Sequence, residues 1–217
     1  MFGWEFPPHI SGGLGTACYG LTKAMAKQNL EIIFVVPRAW GDEDQSTMQL
    51  VGANNIRVRV NRYQFSESDV ANSTDLQYVE IGANLIPYVS IEEYYDIVNN
   101  KVTVKKQLKK HVKTKELDTI SFVGGYGESL LHEVSNYAFI AGEIAKKYDF
   151  DIIHAHDWLT YDAGIAAKHV SGKPLVIHVH ATEFDRSGMH VNQYVYDIER
   201  RGMHMADEVI TVSNLTR

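Results

Sequence analysis

The sequence of 217 residues is long enough for one large domain or two small ones, and an apolar content of 45% supports a substantial core. A formal net charge of -6 excludes a globally basic surface of the kind that attracts nucleic acid or anionic lipid. The single cysteine, Cys18, excludes an internal disulfide, and no apolar run approaches the roughly 18 residues of a membrane span. With no signal peptide at its start, the chain is expected to be cytoplasmic.

The chain opens with a short predicted strand that ends before Pro7, because proline cannot donate to a sheet ladder. From Leu14 to Gln28 the apolar residues recur at intervals of three and four, which predicts a helix with one buried face. Gly12 and Gly13 precede this helix, whose first amide groups are unpaired and carry partial positive charge. Without Cβ atoms, the two glycines allow ligand oxygens to approach those amides closely. The stretch therefore predicts an anion site that suits phosphate.

Two other interpretations of this stretch stay open. The glycines can simply form a tight turn against the sheet. Residues 13–18 also come close to the dinucleotide fingerprint G-x-G-x-x-G/A, although Cys18 stands where a small residue is needed and no acid follows the next strand to bind a ribose. Arg38, which does follow that strand, would suit a 2′-phosphate. An NADP-dependent Rossmann reductase therefore remains an alternative.

The middle of the chain predicts several strands and a basic helix. The segment from Lys101 to Lys115 holds seven of the 21 Lys and Arg residues, and its apolar side chains lie four apart, which predicts an amphipathic helix. Because no aromatic residues are interleaved, a solvated face is favoured over a nucleic-acid patch. We interpret residues 99–118 as an insertion on the scaffold. The strands are predicted at residues 30–36, 56–63, 76–81 and 85–89.

The second half of the sequence alternates helices and strands with short connections. Asp157 is predicted to cap one of these helices and Gly172 to end it. This alternation indicates an α/β, Rossmann-like, doubly wound and mostly parallel sheet with helices on both faces, in a single domain over residues 1–217. The helices are predicted at residues 129–148, 158–170 and 192–206, and the strands at residues 151–156, 174–180 and 209–212.

Two His-x-His pairs lie at strand ends of the predicted sheet, where ligands of such folds bind. The pairs are His154 with His156 and His178 with His180, and in each the rings share one face of a strand because side chains alternate. Four such imidazoles would suit zinc, which is the alternative chemistry. The hydrolase signature H-x-H-x-D-H is not matched, however, because Asp157 follows His156 directly. We expect no metal, and we expect His154 and His178 to be hydrogen-bonded core residues.

Four stretches in this order are recognisable: Glu5-Phe-Pro-Pro-His-Ile-Ser-Gly-Gly-Leu-Gly, His154-Ala-His-Asp-Trp, Val179-His-Ala-Thr-Glu and Ala206-Asp-Glu-Val-Ile-Thr-Val-Ser. Together they resemble the N-terminal domain of retaining GT-B glycosyltransferases, in particular the glycogen and starch synthase branch. The resemblance covers nearly the whole chain and implies one half of a GT-B fold. It also implies a hexosyltransferase that moves a sugar, with glucose expected, from a nucleoside-diphosphate sugar to a glucan or other carbohydrate acceptor. No cofactor is implied.

The same resemblance implies roles for individual residues. His180, beside the transferred sugar, and Asp157, facing the sugar site or the acceptor, are the catalytic candidates. Ile10 stands where glycogen synthases usually carry a lysine that contacts the donor phosphates, so donor and acceptor identity stay open. The amides expected to meet the donor diphosphate belong to Gly12, Gly13 and Leu14. The residues expected to line the acceptor or sugar site are Trp158, Thr182 and Glu183.

The resemblance places a C-terminal nucleotide-sugar domain outside this chain. That domain would supply a basic pair for the phosphates and paired glutamates for the donor sugar. We therefore expect this chain alone to fold without transferring sugar, and expect its partners to be the nucleotide sugar, the carbohydrate acceptor and that second domain. Outside the enzymes, the alternative is a carbohydrate-binding or regulatory module that kept the fold.

Overall fold

A computed structural model describes residues 1–63, 79–81, 112–127, 129–214 and 216. The chain forms two compact units, one made of Met1–Ile56 and Ile120–Arg217 and the other of Arg57–Thr119. The described helices are α1 (Gly13–Ala26), α2 (Leu130–Lys147), α3 (Trp158–Ser171), α4 (Glu183–Ser187) and α5 (Gln193–Met205). The described strands are β1 (Ile33–Val36), β2 (Gln49–Gly52), β3 (Arg57–Tyr63), β4 (Val79–Ile81), β5 (Val112–Thr119), β6 (Ile153–His156), β7 (Leu175–Val179) and β8 (Glu208–Thr211).

The first unit contains a parallel sheet. Strands β1 and β2 pair in parallel, and β6, β7 and β8 form a parallel set with β7 in the middle. Phe2 joins the two sets, because it bridges Val35 on one side and Ala155 on the other, both in parallel. The predicted first strand is thus reduced to one bridging position. All carboxyl ends meet at one edge of the sheet, which is where ligands of such folds bind.

Helices cover both faces of this sheet, as the sequence predicts. On one face, α1 packs through Cys18 against Phe34 of β1. On the other, α2 packs through Tyr137, whose ring meets Phe2 at 5.9 Å and whose hydroxyl donates to the Val35 carbonyl at 2.7 Å. Since Val35 follows Phe34, the two residues point to opposite faces of the strand. The structure confirms an α/β, Rossmann-like unit with parallel strands.

The second unit is a three-stranded antiparallel sheet with β3 between β4 and β5. The predicted amphipathic helix is wrong for Val112–Lys115, which lie in β5. There the ladder with β3 satisfies the backbone, and periodicity within one segment carries no information about that pairing. The rest of that helix, residues 101–111, and the strand predicted at 85–89 lie outside the described residues. The interpretation of residues 99–118 as an insertion stays a prediction.

The remaining boundaries agree with the predictions to within a few residues, with two omissions. Strand β2 has only four residues, and α4 has only five, so neither has enough residues to show a period. Gly172 ends α3 in the left-handed conformation, at φ 70°, as predicted. Within the described parts of the chain, no helix is both long and apolar enough to cross a membrane.

Candidate active site

The residues singled out from the sequence meet at the carboxyl edge of the parallel sheet. The glycine loop, residues 11–15, begins α1. His156 and Asp157 end β6, and His180 follows β7. The backbone N–H of Asp157 donates to the His178 carbonyl at 3.0 Å, so the ends of β6 and β7 are tied together. The fold therefore gathers three separate sequence motifs at one edge.

The glycine loop is held by a carboxylate that the sequence analysis did not single out. Glu5, 5% exposed, accepts hydrogen bonds from the backbone N–H groups of Ser11 at 2.8 Å and Gly15 at 3.3 Å. Partial burial together with the nearby carboxylates of Glu5 and Asp157 raises the pKa of Tyr126 well above its usual value. The sequence signal that could have identified Glu5 is its position as an acidic residue between the predicted first strand and the proline pair Pro7-Pro8.

The fold itself does not require glycine at Gly12 or Gly13. A Cβ atom built at either position meets no other atom within 4 Å, and neither residue has a positive φ. Gly15 differs, because its Cβ would lie 2.4 Å from Ile10 Cγ2 and 3.1 Å from Glu5 Cγ. Gly12, the N-cap residue, provides no side-chain cap for α1. The open space beside the first amides is what a bound anion would use.

The four histidines form a ladder on the α1 side of the sheet, which we call the histidine ladder: His154, His156, His178 and His180. The Nε2 atom of His154 faces Nδ1 of His178 at 3.2 Å, and Nδ1 of His156 faces Nε2 of His180 at 3.1 Å. His156 is fully buried and the others are half-buried. His154 and His178 are thus hydrogen-bonded as expected, but the core position belongs to His156.

The ladder is uncharged near neutral pH. Burial and the neighbouring rings lower the pKa of His154 to about 3 and that of His178 to about 4, and they lower the pKa of His156 well below its usual value. Burial also lowers the pKa of His180. Because several imidazolium ions in contact would repel one another in a poorly solvated site, the neutral state is favoured. A ligand beside His180 would therefore meet a neutral hydrogen-bonding ring.

Among the residues that the structure describes, two sets at this edge have ligand atoms close enough for a metal ion. The members of each set lie within 4.8 Å of one another, and the sets are His154, His156 and His178, and Cys18, His156 and His180. However, the ring centroids are 5.3 Å apart in the His154–His178 pair and 5.4 Å apart in the His156–His180 pair. Each of these distances is about 2 Å longer than the distance between the facing nitrogens. The nitrogens therefore face each other along a line, as in an N–H···N hydrogen bond. Two ligands of one metal ion would point at a common third position.

We predict that the protein binds no transition metal in stoichiometric amounts. The reason is that the paired nitrogens already use each other as partners and would have to turn away to reach an ion. Elemental analysis of protein purified without a nickel affinity step measures this directly. One zinc ion per chain that survives dialysis would contradict the prediction and revive the His-x-His alternative.

Asp157 acts on the neighbouring strand end rather than on its own helix. It occupies the N-cap position of α3 but makes no side-chain cap hydrogen bond, so the predicted capping role is wrong. Its Oδ1 instead accepts from the backbone N–H groups of His180 at 2.8 Å and Ala181 at 3.4 Å. Burial raises the pKa of Asp157, while those hydrogen bonds and the Arg186 charge oppose the rise. The carboxylate thus fixes the turn that carries His180.

The backbone of Asp157 is strained, with φ 60° and ψ 168°, a region that is essentially reserved for glycine. Asp157→Gly should therefore be more stable than Asp157→Ala by about 1–3 kcal/mol, since both lose the carboxylate and only glycine relieves the strain. At an ordinary position glycine is instead the less stable of the two. Urea denaturation of both variants provides the measurement. Equal stabilities, or a more stable alanine variant, would contradict the strain.

The three proposed lining residues have different surroundings. Trp158 is the half-buried first residue of α3. Thr182 forms a capping box with Asp185 at the start of α4. Glu183 is buried, accepts from the Asn192 N–H at 3.0 Å and pairs with Arg186, whose guanidinium also contacts Glu199. Thr182 and Glu183 thus hold the loop after β7 in place, and their contact with a sugar or acceptor stays a prediction.

The parallel sheet, the glycine loop and the polar carboxyl edge define a Rossmann-like α/β domain, a class of fold that binds ligands at this edge. Residues 1–216 match the family described as starch synthase catalytic domain, and the chain belongs to that family. The predicted family, the glycogen and starch synthase branch, is confirmed. The predicted enzyme class, glycosyltransferase, is the one that the names of two relatives carry. The NADP-dependent reductase alternative has no support.

Known proteins from an archaeon and a bacterium are similar to this chain over 98% of its length. An uncharacterized glycosyltransferase of Methanocaldococcus jannaschii is 23% identical over 222 residues, which cover 39% of that protein. The glycogen synthase of Mycobacterium tuberculosis, strains CDC 1551 and H37Rv, is 23% identical over 217 residues, which cover 41% of it. The chain therefore spans about two fifths of the length of these relatives.

Proposed function

We propose that this chain is the acceptor-side half of a retaining glycosyltransferase that moves a sugar, glucose first among the candidates, from a nucleoside-diphosphate sugar to a glucan or other carbohydrate. The observation that carries the proposal is the glycine loop. Neither the packing nor the backbone conformation of the fold requires glycine at Gly12 or Gly13. Both residues nevertheless lie beside the first amides of α1. Binding of a ligand with anionic oxygens to these amides would explain why both positions are glycine.

The donor diphosphate fits this loop chemically. The backbone N–H groups of Gly12, Gly13 and Leu14 lie at the positive end of the α1 dipole, which stabilises a departing diphosphate as its charge grows. The Glu5 carboxylate holds the loop by accepting hydrogen bonds from the backbone N–H groups of Ser11 and Gly15. Its negative charge is therefore already hydrogen-bonded to donors of the protein. The loop is thereby fixed before any ligand arrives, which is the condition for electrostatic preorganisation.

His180 and Asp157 supply the sugar side of the same site. In a retaining transfer, positive charge develops at the anomeric carbon while the diphosphate leaves. A neutral His180 ring hydrogen-bonds a sugar hydroxyl without adding a repelling positive charge. Asp157 positions that ring through the backbone of the strand end. Neither residue is assigned the role of a covalent nucleophile.

The remaining parts of the proposal concern the whole protein. Because the relatives are about two and a half times longer, we propose that a second domain supplies the other wall of the cleft, with further contacts to the phosphates and the donor sugar. We also propose that transfer proceeds without a metal, since the loop amides and that domain neutralise the diphosphate. A cytoplasmic location suits a substrate of this kind and the single cysteine.

The test is a transfer assay with the complete natural protein that contains this chain. It is supplied with UDP-, ADP- or GDP-glucose and a maltooligosaccharide, and the products are followed by proton NMR. The expected result is release of nucleoside diphosphate together with a new α-glycosidic anomeric signal, with chelator present throughout. A β-linked product would overturn the retaining assignment. Failure to transfer from any nucleotide sugar would overturn the function, and activity that chelation abolishes would overturn the metal-free mechanism.

A further inference from the structure

The fully buried His156 has an atom that the proposed transfer does not explain. Its Nδ1 faces Nε2 of His180 at 3.1 Å, whereas its Nε2 has no hydrogen-bond partner within the described part of the chain. Buried polar atoms are nearly always paired, so such an atom needs an explanation. The ring is neutral, which means that one of its two nitrogens carries a proton and the other does not.

Only two proton arrangements satisfy the contact between His156 and His180. In the first, His156 Nδ1–H donates to His180 Nε2, which leaves His156 Nε2 bare and places the proton of His180 on its Nδ1. In the second, His180 Nε2–H donates to His156 Nδ1, which leaves an N–H group of His156 buried without an acceptor. The two arrangements present opposite hydrogen-bonding character at Nδ1 of His180.

The surroundings of His156 favour the first arrangement. Among backbone groups, orphaned buried N–H groups are rarer than under-satisfied carbonyl groups, and we infer the same order for the ring nitrogens of His156. Cys18, 1% exposed, has its sulfur within 4.8 Å of ring nitrogens of both histidines. Burial raises the pKa of this thiol to about 12, so it keeps its proton and supplies no thiolate to accept from a buried N–H group of His156.

We propose that His156 is a positioning residue that locks the tautomer of His180, so that His180 presents Nδ1–H as a hydrogen-bond donor to the sugar. The proposal deepens the proposed function and rests on it for the identity of the ligand. Nδ1 of the half-buried His180 has no protein partner among the described residues, so it is the nitrogen left for a substrate oxygen. A fixed donor would bind a sugar hydroxyl through its lone pairs without having to change tautomer first.

The direct test does not depend on activity. Selective 15N labelling of histidine rings in the complete protein, read by long-range 15N–1H correlation, shows which nitrogen of His180 carries the proton. The His180 signals are identified by their loss in His180→Gln. The expected result is a single tautomer protonated on Nδ1. Protonation on Nε2, or a mixture of both tautomers, would overturn the proposal even if sugar transfer is confirmed.

Two substitutions at His156 separate the hydrogen bond from packing. His156→Asn keeps an amide N–H at the place of Nδ1, whereas His156→Leu fills space without a donor. We expect the asparagine variant to retain the Nδ1–H tautomer of His180 and most of the kcat. The leucine variant should lose the single tautomer and about tenfold in kcat, with the donor KM within twofold. Retention of the tautomer in a folded leucine variant would show that His156 does not set it, and if that variant does not fold, the spectrum of the unsubstituted protein decides.

Discussion

Replacing His180 with alanine is expected to lower the kcat of the complete enzyme by about a hundredfold, which corresponds to the loss of one oriented contact worth about 3 kcal/mol in the transition state. The ring sits at the end of β7, held by the His156 nitrogen on one side and, through its backbone, by Asp157 on the other. Nucleotide affinity should change little, because the glycine loop and the proposed second domain supply it. Steady-state kinetics with varied donor concentration separates the two quantities.

His154→Ala is the matched control for that experiment. His154 belongs to the same ladder but pairs with His178 at the inner end, away from the strand termini. Its loss should lower the midpoint of thermal unfolding more than it lowers kcat. The site assignment would be wrong if His180→Ala kept near-normal kcat, or if its loss of activity followed only from unfolding.

The second large effect is expected at the glycine loop. Gly13→Val should raise the donor KM by at least tenfold, which corresponds to ~1.4 kcal/mol, because its branched side chain occupies the space beside the loop amides. Stability should be nearly unchanged, since a Cβ at this position meets nothing within 4 Å. Donor kinetics and thermal unfolding of the same preparation provide the two readouts.

Gly15→Val, two residues further along α1, serves as the comparison. There the new Cβ would lie 2.4 Å from Ile10 Cγ2 and 3.1 Å from Glu5 Cγ, so the loop has to shift and stability should fall. The two valine variants are thus expected to separate, one affecting donor binding and the other folding. An unchanged donor KM in the Gly13→Val enzyme would show that the diphosphate does not bind at this loop.

The parts of the fold that a local period encodes were predictable. The three- and four-residue spacing marked α1 and α2, and the signals at its two ends marked α3. Side-chain alternation placed the paired histidines on one face of each strand. The pairing of Val112 with β3 was not, because a ladder partner about fifty residues earlier leaves no trace in the segment's own pattern. A basic, evenly spaced stretch therefore predicted a helix that includes residues 112–115, which form part of a strand.

The candidate site was predictable in its motifs but not in its internal support. Glu5 holds the loop through backbone groups six and ten residues away, and a backbone donor has no sequence signature. Asp157 was expected to cap its own helix, yet its carboxylate bonds to the end of the adjacent strand. His156 and Cys18 lie close together only because α1 packs on the face of the sheet toward which the His156 side chain points. Which backbone or side-chain group each of these polar residues contacts is therefore set by the tertiary structure and cannot be predicted from the local sequence.

The most direct test of the proposed donor site is a crystal structure of the complete protein with an intact nucleoside-diphosphate sugar or its non-transferable analogue. We expect diphosphate oxygens within about 3.2 Å of the backbone nitrogens of Gly12, Gly13 or Leu14, and a sugar hydroxyl at hydrogen-bond distance from the ring of His180. A diphosphate bound elsewhere, with the glycine loop and His180 out of contact with the donor, would contradict it.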